Sequence, residues 1–179
     1  MLSRLAESFY WIGRYLERAE STARVLGVTR NLALDVGLNP RHVWLPVIIV
    51  SGEQERYAEA GQGRTDDGER VQDYMTWDEE NPSSIVRSLS AARDNARSIR
   101  EVVSLETWEA LNALYLWMGS PRARAEWRED RHAFYRRIRT SMQSLQGIVR
   151  GTMLFDDAMH FMLLGVMLAR GRRMISSRS

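Results

Sequence analysis

The chain has 179 residues, 44% hydrophobic and 27% charged, which is enough apolar material for one buried core and too much for a disordered segment. It has no cysteine, and all 25 basic residues are arginine, which excludes disulfides, a thiolate metal site, a cysteine nucleophile, a lysine Schiff base and a phosphate-loop lysine. The net charge of +2 is spread over interspersed acids and bases, so nucleic acid is not an expected partner.

The first predicted element is a long amphipathic helix over 3–34, in which Leu5, Phe9, Ile12, Leu16, Ala19 and Ala23 recur at helical spacing. Asn39-Pro40 reads as a turn before a short helix over 41–50, ended by Ser51-Gly52, with Pro46 a threat to its continuity. From 53 to 80, Gly61, Gly63 and Gly68 punctuate a polar stretch, read as a loop followed by a weak helix through Val71, Tyr74 and Met75. Asn81-Pro82-Ser83-Ser84 predicts a helix start, with Asn81 as cap and Pro82 first in a helix that carries Ile85, Leu89, Ala92, Ala96 and Ile99 as far as Val103. Ser104 caps a helix over 105–118 that Gly119 stops. Past Pro121 an Arg-rich helix runs over 123–150, and a last helix over 155–174.

No window alternates as a strand. The expected fold is all-α, a single domain over 1–179 built as a bundle of about five to seven helices. Charges near the N-terminus interrupt any signal-peptide core, and the apolar stretch from Phe161 to Ala169 is far short of the ~20 residues a membrane span requires. A cytoplasmic protein that does not enter a membrane is the expectation.

Shifting the chain by 152 positions lays Met153–Met174 on Met1–Thr22, so that Met1, Leu2, Ala6, Phe9, Gly13, Leu16 and Arg18 meet Met153, Leu154, Ala158, Phe161, Gly165, Leu168 and Arg170. Glu7, Arg14, Glu17 and Glu20 meet Met159, Val166, Ala169 and Arg172 instead. The repeat is degenerate: it keeps the packing face and loses the charges. A last helix this apolar is expected to lie centrally or to dock on another chain, with a homodimer as one outcome.

At about 100° per residue, Arg4, Glu7, Trp11, Arg14 and Arg18 share one face of the first helix, flanked by Tyr10 and Glu17 and opposite Leu5, Ile12 and Leu16. Arg4 with Glu7 and Arg14 with Glu17 have spacings that permit pairing. Arg14 and Arg18, one turn apart, call for an external carboxylate or phosphate. A solvated face of local pairs is the plainer account. Interleaved Tyr10, Trp11 and Tyr15 favour a contact surface, and Gly13, costing up to ~1 kcal/mol inside a helix, favours close helix approach.

Other features carry less. Ser104, Ser141 and Ser144 lack a His–Asp partner pattern, and Asp156 with His160 offers two metal ligands without a third, so no catalytic residue, metal or cofactor is assigned. Trp77, Trp108, Trp117 and Trp127 read as packing residues. Arg136, Arg137, Arg139, Arg170, Arg172 and Arg173 read as solvated charge rather than an RNA surface.

The opening Met1-Leu2-Ser3-Arg4-Leu5-Ala6-Glu7-Ser8-Phe9-Tyr10-Trp11-Ile12-Gly13-Arg14-Tyr15-Leu16-Glu17-Arg18-Ala19-Glu20 resembles the signature of the bacterial alpha-E family, formerly a domain of unknown function. The resemblance continues through Asn81-Pro82-Ser83-Ser84-Ile85, Ala91–Arg97, Trp108–Asn112 and Gly151-Thr152-Met153. It implies an all-helical fold with a Glu and Arg motif in each half, and a genomic association with a circularly permuted ATP-grasp protein and transglutaminase-like proteins. Amide-bond chemistry on peptides or amino acids is the implied setting. The resemblance makes Glu7, Arg14, Glu17, Arg18 and Glu20 the signature polar set and adds Asn81, Arg93 and Asn95. Family members are usually longer and commonly keep the second set of charges, so the chain looks like a shortened or partial member.

Two functions stay open. As an auxiliary interaction module, the chain presents Arg4, Glu7, Tyr10, Trp11, Arg14, Glu17 and Arg18 as an open patch to an ATP-grasp ligase or transglutaminase-like protein. As an enzyme subunit, it encloses a carboxylate or phosphate substrate with the same residues, Glu7 or Glu17 serving as acid or base. With one charged copy only, binding is favoured over catalysis.

Overall fold

A computed structural model describes residues 2–35, 39–62, 67–152 and 157–176. They form nine α-helices and no strand. Helix α1 (Leu2–Asp35) is the axis on which α5 (Ile85–Ser98), α8 (Arg131–Thr152) and α9 (Asp157–Ser176) pack. Its apolar stripe of Phe9, Ile12, Leu16, Ala19, Ala23 and Leu26 is buried throughout, as the helical spacing requires. Of helices α2 (Pro40–Ser51), α3 (Gln54–Tyr57) and α4 (Gly68–Trp77), α2 and α4 pack on α1, while α6 (Leu105–Met118) packs on α5 and α8 and α7 (Pro121–Glu129) on α8, with Trp127 of α7 meeting Trp77 of α4. Among the described residues, no helix is long and apolar enough to cross a membrane.

The helix count exceeds the expected five to seven for local reasons. The Arg-rich helix is two helices, because Asp130 leaves helical geometry at φ −143° and its Oδ1 accepts the Ala133 N–H, capping α8. The described residues of the 53–80 stretch, 53–62 and 67–80, are more regular than their composition suggests: α3 continues into a π-helical turn over Ala58–Gln62, and α4 is a core helix with Val71, Met75 and Thr76 fully buried. Gly68 is a packing residue, since a Cβ there would collide with the Trp44 ring.

Asn81 is not the cap of α5. Ser84 is, its hydroxyl accepting the Arg87 N–H, so Pro82 lies in the preceding loop, and α5 stops at Ser98, short of Val103. Pro46 does not break α2. The carbonyl it leaves without a donor belongs to His42, an exposed first-turn residue that water can serve. Gly119 ends α6 at φ −77°, a value open to any residue; Ser120 and Pro121, which start α7, enforce the stop.

The two copies of the repeat pack on each other. A Cβ on Gly13 would run into the Met162 carbonyl, and one on Gly165 would run into the Tyr10 carbonyl. Gly13 and Gly165 are equivalent under the 152-residue shift, and so are Tyr10 and Met162. Such reciprocity, i touching j' while j touches i', is the mark of a two-fold contact, here within one chain. Met153, Leu154, Phe155 and Asp156 lie outside the described residues, as does Met1. Among the described residues of α9, one face is covered: Met162 is buried, whereas Phe161, Leu164, Met167 and Leu168 are 40–65% exposed.

Candidate functional site

Five segments enclose a cleft of about 340 Å³. Helix α1 supplies Arg14, Glu17 and Arg18; the end of α2 supplies Val50 and Ser51, followed by Gly52 and Glu53. Arg56 of α3, the Pro82-Ser83 loop and Ala169 of α9 complete it. Gly52 makes the turn at φ +72°, a left-handed geometry that favours glycine, and its N–H closes on the Ile48 and Ile49 carbonyls. That turn carries Glu53 back into the protein, where it is 3% exposed.

Asn81 builds the facing loop. It is 1% exposed, accepts the Ser83 N–H at 2.8 Å and donates to the Tyr74 carbonyl at 3.1 Å. The Arg18 guanidinium donates to the Pro82 carbonyl at 3.0 Å, and the Thr22 hydroxyl to the Ser83 carbonyl at 3.4 Å, so α1 grips both loop carbonyls. The Ser83 hydroxyl donates to Glu53 Oε1 at 2.7 Å. Burial, with the nearby Glu53 charge, pushes the Tyr74 phenol up to about 12.

The carboxylates of the cleft are engaged. Glu17, 4% exposed, accepts the Ser21 hydroxyl at 2.9 Å and pairs with Arg170 of α9 at 2.9 Å; this bond holds the Arg170 pKa above its ordinary value. Glu53 has Ser83 and, at 3.7 Å, Arg56. The Oε2 atom of each is buried without a hydrogen-bond donor and meets its arginine as an ion pair only. Arg14 pairs with no carboxylate among the described residues: it donates to the Tyr10 hydroxyl at 2.9 Å, lies 5.7 Å and 5.6 Å from the Tyr10 and Trp11 ring centres, and, like the two glutamates, has a buried polar atom, its Nε, with no hydrogen-bond partner. Trp11 stacks on Tyr15 at 5.5 Å, and Arg18 sits 5.5 Å over Tyr15. The aromatics therefore hold guanidinium groups through cation–π contact, all three rings being half-buried rather than an open patch.

Of the residues singled out from the sequence, Arg14, Glu17 and Arg18 meet in the cleft. Arg4 and Glu7 are exposed outside it and form no ion pair with each other. Arg14 and Glu17 do not pair either, since the rings claim one and Arg170 the other. Glu20, 2% exposed, pairs with Arg24 and accepts from Gln146 at 2.9 Å, tying α1 to α8. Arg93 clamps α5 to α6 through Asn112 at 2.8 Å and the Trp108 and Tyr115 rings. Asn95 donates to the Ala91 carbonyl within its own helix. Ser83 belongs to the Asn81-Pro82-Ser83-Ser84 segment singled out from the sequence, whereas Glu53, Arg56, Ala169 and Arg170 were not singled out for the site. The repeat held the signal for the last two, as partners of Glu17 and Arg18.

A family model for Alpha-E, described as a predicted alpha-helical domain with a conserved ER motif, matches residues 1–177. The chain belongs to the Alpha-E family. No curated protein and no solved structure is similar. Glu-Arg dipeptides occur in this Alpha-E chain at 17–18, 55–56 and 69–70. The first contributes both its residues to the cleft, and the second contributes Arg56.

Proposed function

We propose that this Alpha-E chain is a binding module that takes up an anionic group, a carboxylate or a phosphate, between Arg14, Arg18 and Arg56. The observation that carries this reading is Arg14, which lines the cleft and has no carboxylate partner among the described residues. Guanidinium groups suit bidentate pairing with either anion, and the cleft volume sits at the lower end of small-ligand sites. Arg14 is already positioned by two rings, so little side-chain entropy is lost on binding.

The family setting supports a carboxylate of an amino acid or peptide, handled in the cytoplasm beside an ATP-grasp ligase or transglutaminase-like protein. Calorimetric titration of glutarate and inorganic phosphate tests the site. Saturable binding by the wild type, weakened about tenfold by Arg14→Gln and by Arg56→Gln, is expected. Wild-type affinity retained by both variants counts against it. Co-purification with the ligase tests the partner.

A second reading, docking through α9, rests on Phe161, Leu164, Met167 and Leu168, whose exposed side chains suit a protein contact. Light scattering decides whether a second copy covers them: a concentration-dependent dimer lost in Leu164→Arg supports self-association, and a strict monomer removes it.

A further inference from the structure

Arg14, Glu17 and Glu53 all line the cleft, and each carries a buried polar atom without a hydrogen-bond partner: Nε in the arginine, Oε2 in both glutamates. Buried polar atoms are almost always partnered, so a wall where a donor and two acceptors are not calls for something that supplies both kinds of partner. Glu17 is the better served acid, with Arg170 at 2.9 Å and the Ser21 hydroxyl. Glu53 is served less well. It is 3% exposed, yet its cation, Arg56, stands 3.7 Å away on a side chain that is 60% exposed. The Ser83 hydroxyl and the Tyr74 phenol beside Glu53 are neutral. A carboxylate so far from water is costly unless a cation closes on it.

Resting on the reading of the cleft as an anion site, we infer that its ligand is a zwitterion, one small molecule whose anionic group is held by Arg14 and whose ammonium closes on Glu53. The ammonium gives Oε2 the donor it lacks and takes over from the loosely held Arg56, which then turns to the anionic group beside Arg14. A purely anionic ligand meets Glu17 and Glu53 in the same wall, and a purely cationic one meets the arginines. A molecule that carries both charges is matched at both ends of a cleft of about 340 Å³. An amino acid and a phosphate-bearing amine share this chemistry.

Matched pairs that differ by the ammonium test the inference: valerate against L-norvaline, and ethyl phosphate against O-phosphoethanolamine, each titrated by calorimetry into the full chain at one ionic strength. Within at least one pair, the amine-bearing member is expected to bind the wild type about tenfold more tightly, and the pair that shows it names the anionic group. Arginines outnumber acids in the cleft wall, so long-range attraction alone favours valerate, and a preference for norvaline reads the contact with Glu53. Glu53→Gln is expected to bring the two members within about twofold of each other, whereas Arg14→Gln weakens both. The wild-type comparison stands whether or not Glu53→Gln folds. Equal affinity within both pairs, or tighter binding of valerate and ethyl phosphate than of their amines, overturns the zwitterion while leaving an anion site. A preference for the amine that survives Glu53→Gln overturns the place given to the ammonium. Absence of all binding to the wild type removes the anion site itself, and the inference with it.

Discussion

Gly13 and Gly165 stand at equivalent positions of a sequence repeat, and each is where its helix meets the backbone of the other, Gly13 at Met162 and Gly165 at Tyr10. A methyl group at either position meets a carbonyl that cannot rotate aside. Gly13→Ala and Gly165→Ala are each expected to destabilise by about 1–3 kcal/mol, outweighing the better helix propensity of alanine. Gly147 has open space where a Cβ would stand, with nothing within 4 Å, so Gly147→Ala is expected to stabilise by up to about 1 kcal/mol. Urea unfolding of the three variants checks both signs.

The Glu17–Arg170 pair joins a buried acid to an arginine that is 56% exposed. Removing the arginine leaves the acid in place without its cation. Arg170→Met is expected to cost about 1–3 kcal/mol, above the range of an exposed pair, because the cost lies in the buried oxygen. Glu17→Gln in the same chain restores part of it. A double-mutant cycle measures the coupling, and additive effects would show that the two side chains do not interact.

Elements written in local pattern were legible in the sequence. The apolar spacing of α1 and the Ser104 cap of α6 are set by residues within a few positions of one another, and Gly13 announced a close approach. The break at Asp130 was hidden, because the flanking apolar spacing continues through it and a single side-chain cap decides it. Helix α4 looked marginal because its burial comes from tertiary packing rather than propensity. Glu53 and Arg56 reach the cleft through the left-handed turn at Gly52, which no periodicity encodes. The Glu17–Arg170 pair spans most of the chain, and the repeat was its one trace.

Burial pushes the Tyr135 phenol up to about 12 despite its hydrogen bonds with Thr76 at 3.1 Å and Trp127 at 3.1 Å, and Tyr74 is raised to about 12 as well. From pH 10, the ordinary value, up to about 12, the folded chain holds protons that the unfolded chain has lost, so stability falls as pH rises through this window. Tyr135→Phe is expected to lose about 1–3 kcal/mol at neutral pH by stranding the Trp127 and Thr76 partners, and to show a shallower alkaline decline. Urea midpoints from pH 7 to 12 test this; an unchanged slope would mean Tyr135 titrates alike in both states.

Whether the cleft holds an anion is decided most directly by calorimetric titration of glutarate into the wild type, Arg14→Gln and Arg56→Gln at one ionic strength. Saturable binding of one glutarate per wild-type chain, weakened about tenfold in each variant, is the predicted result. Absence of saturation, or the same affinity in all three proteins, would contradict it.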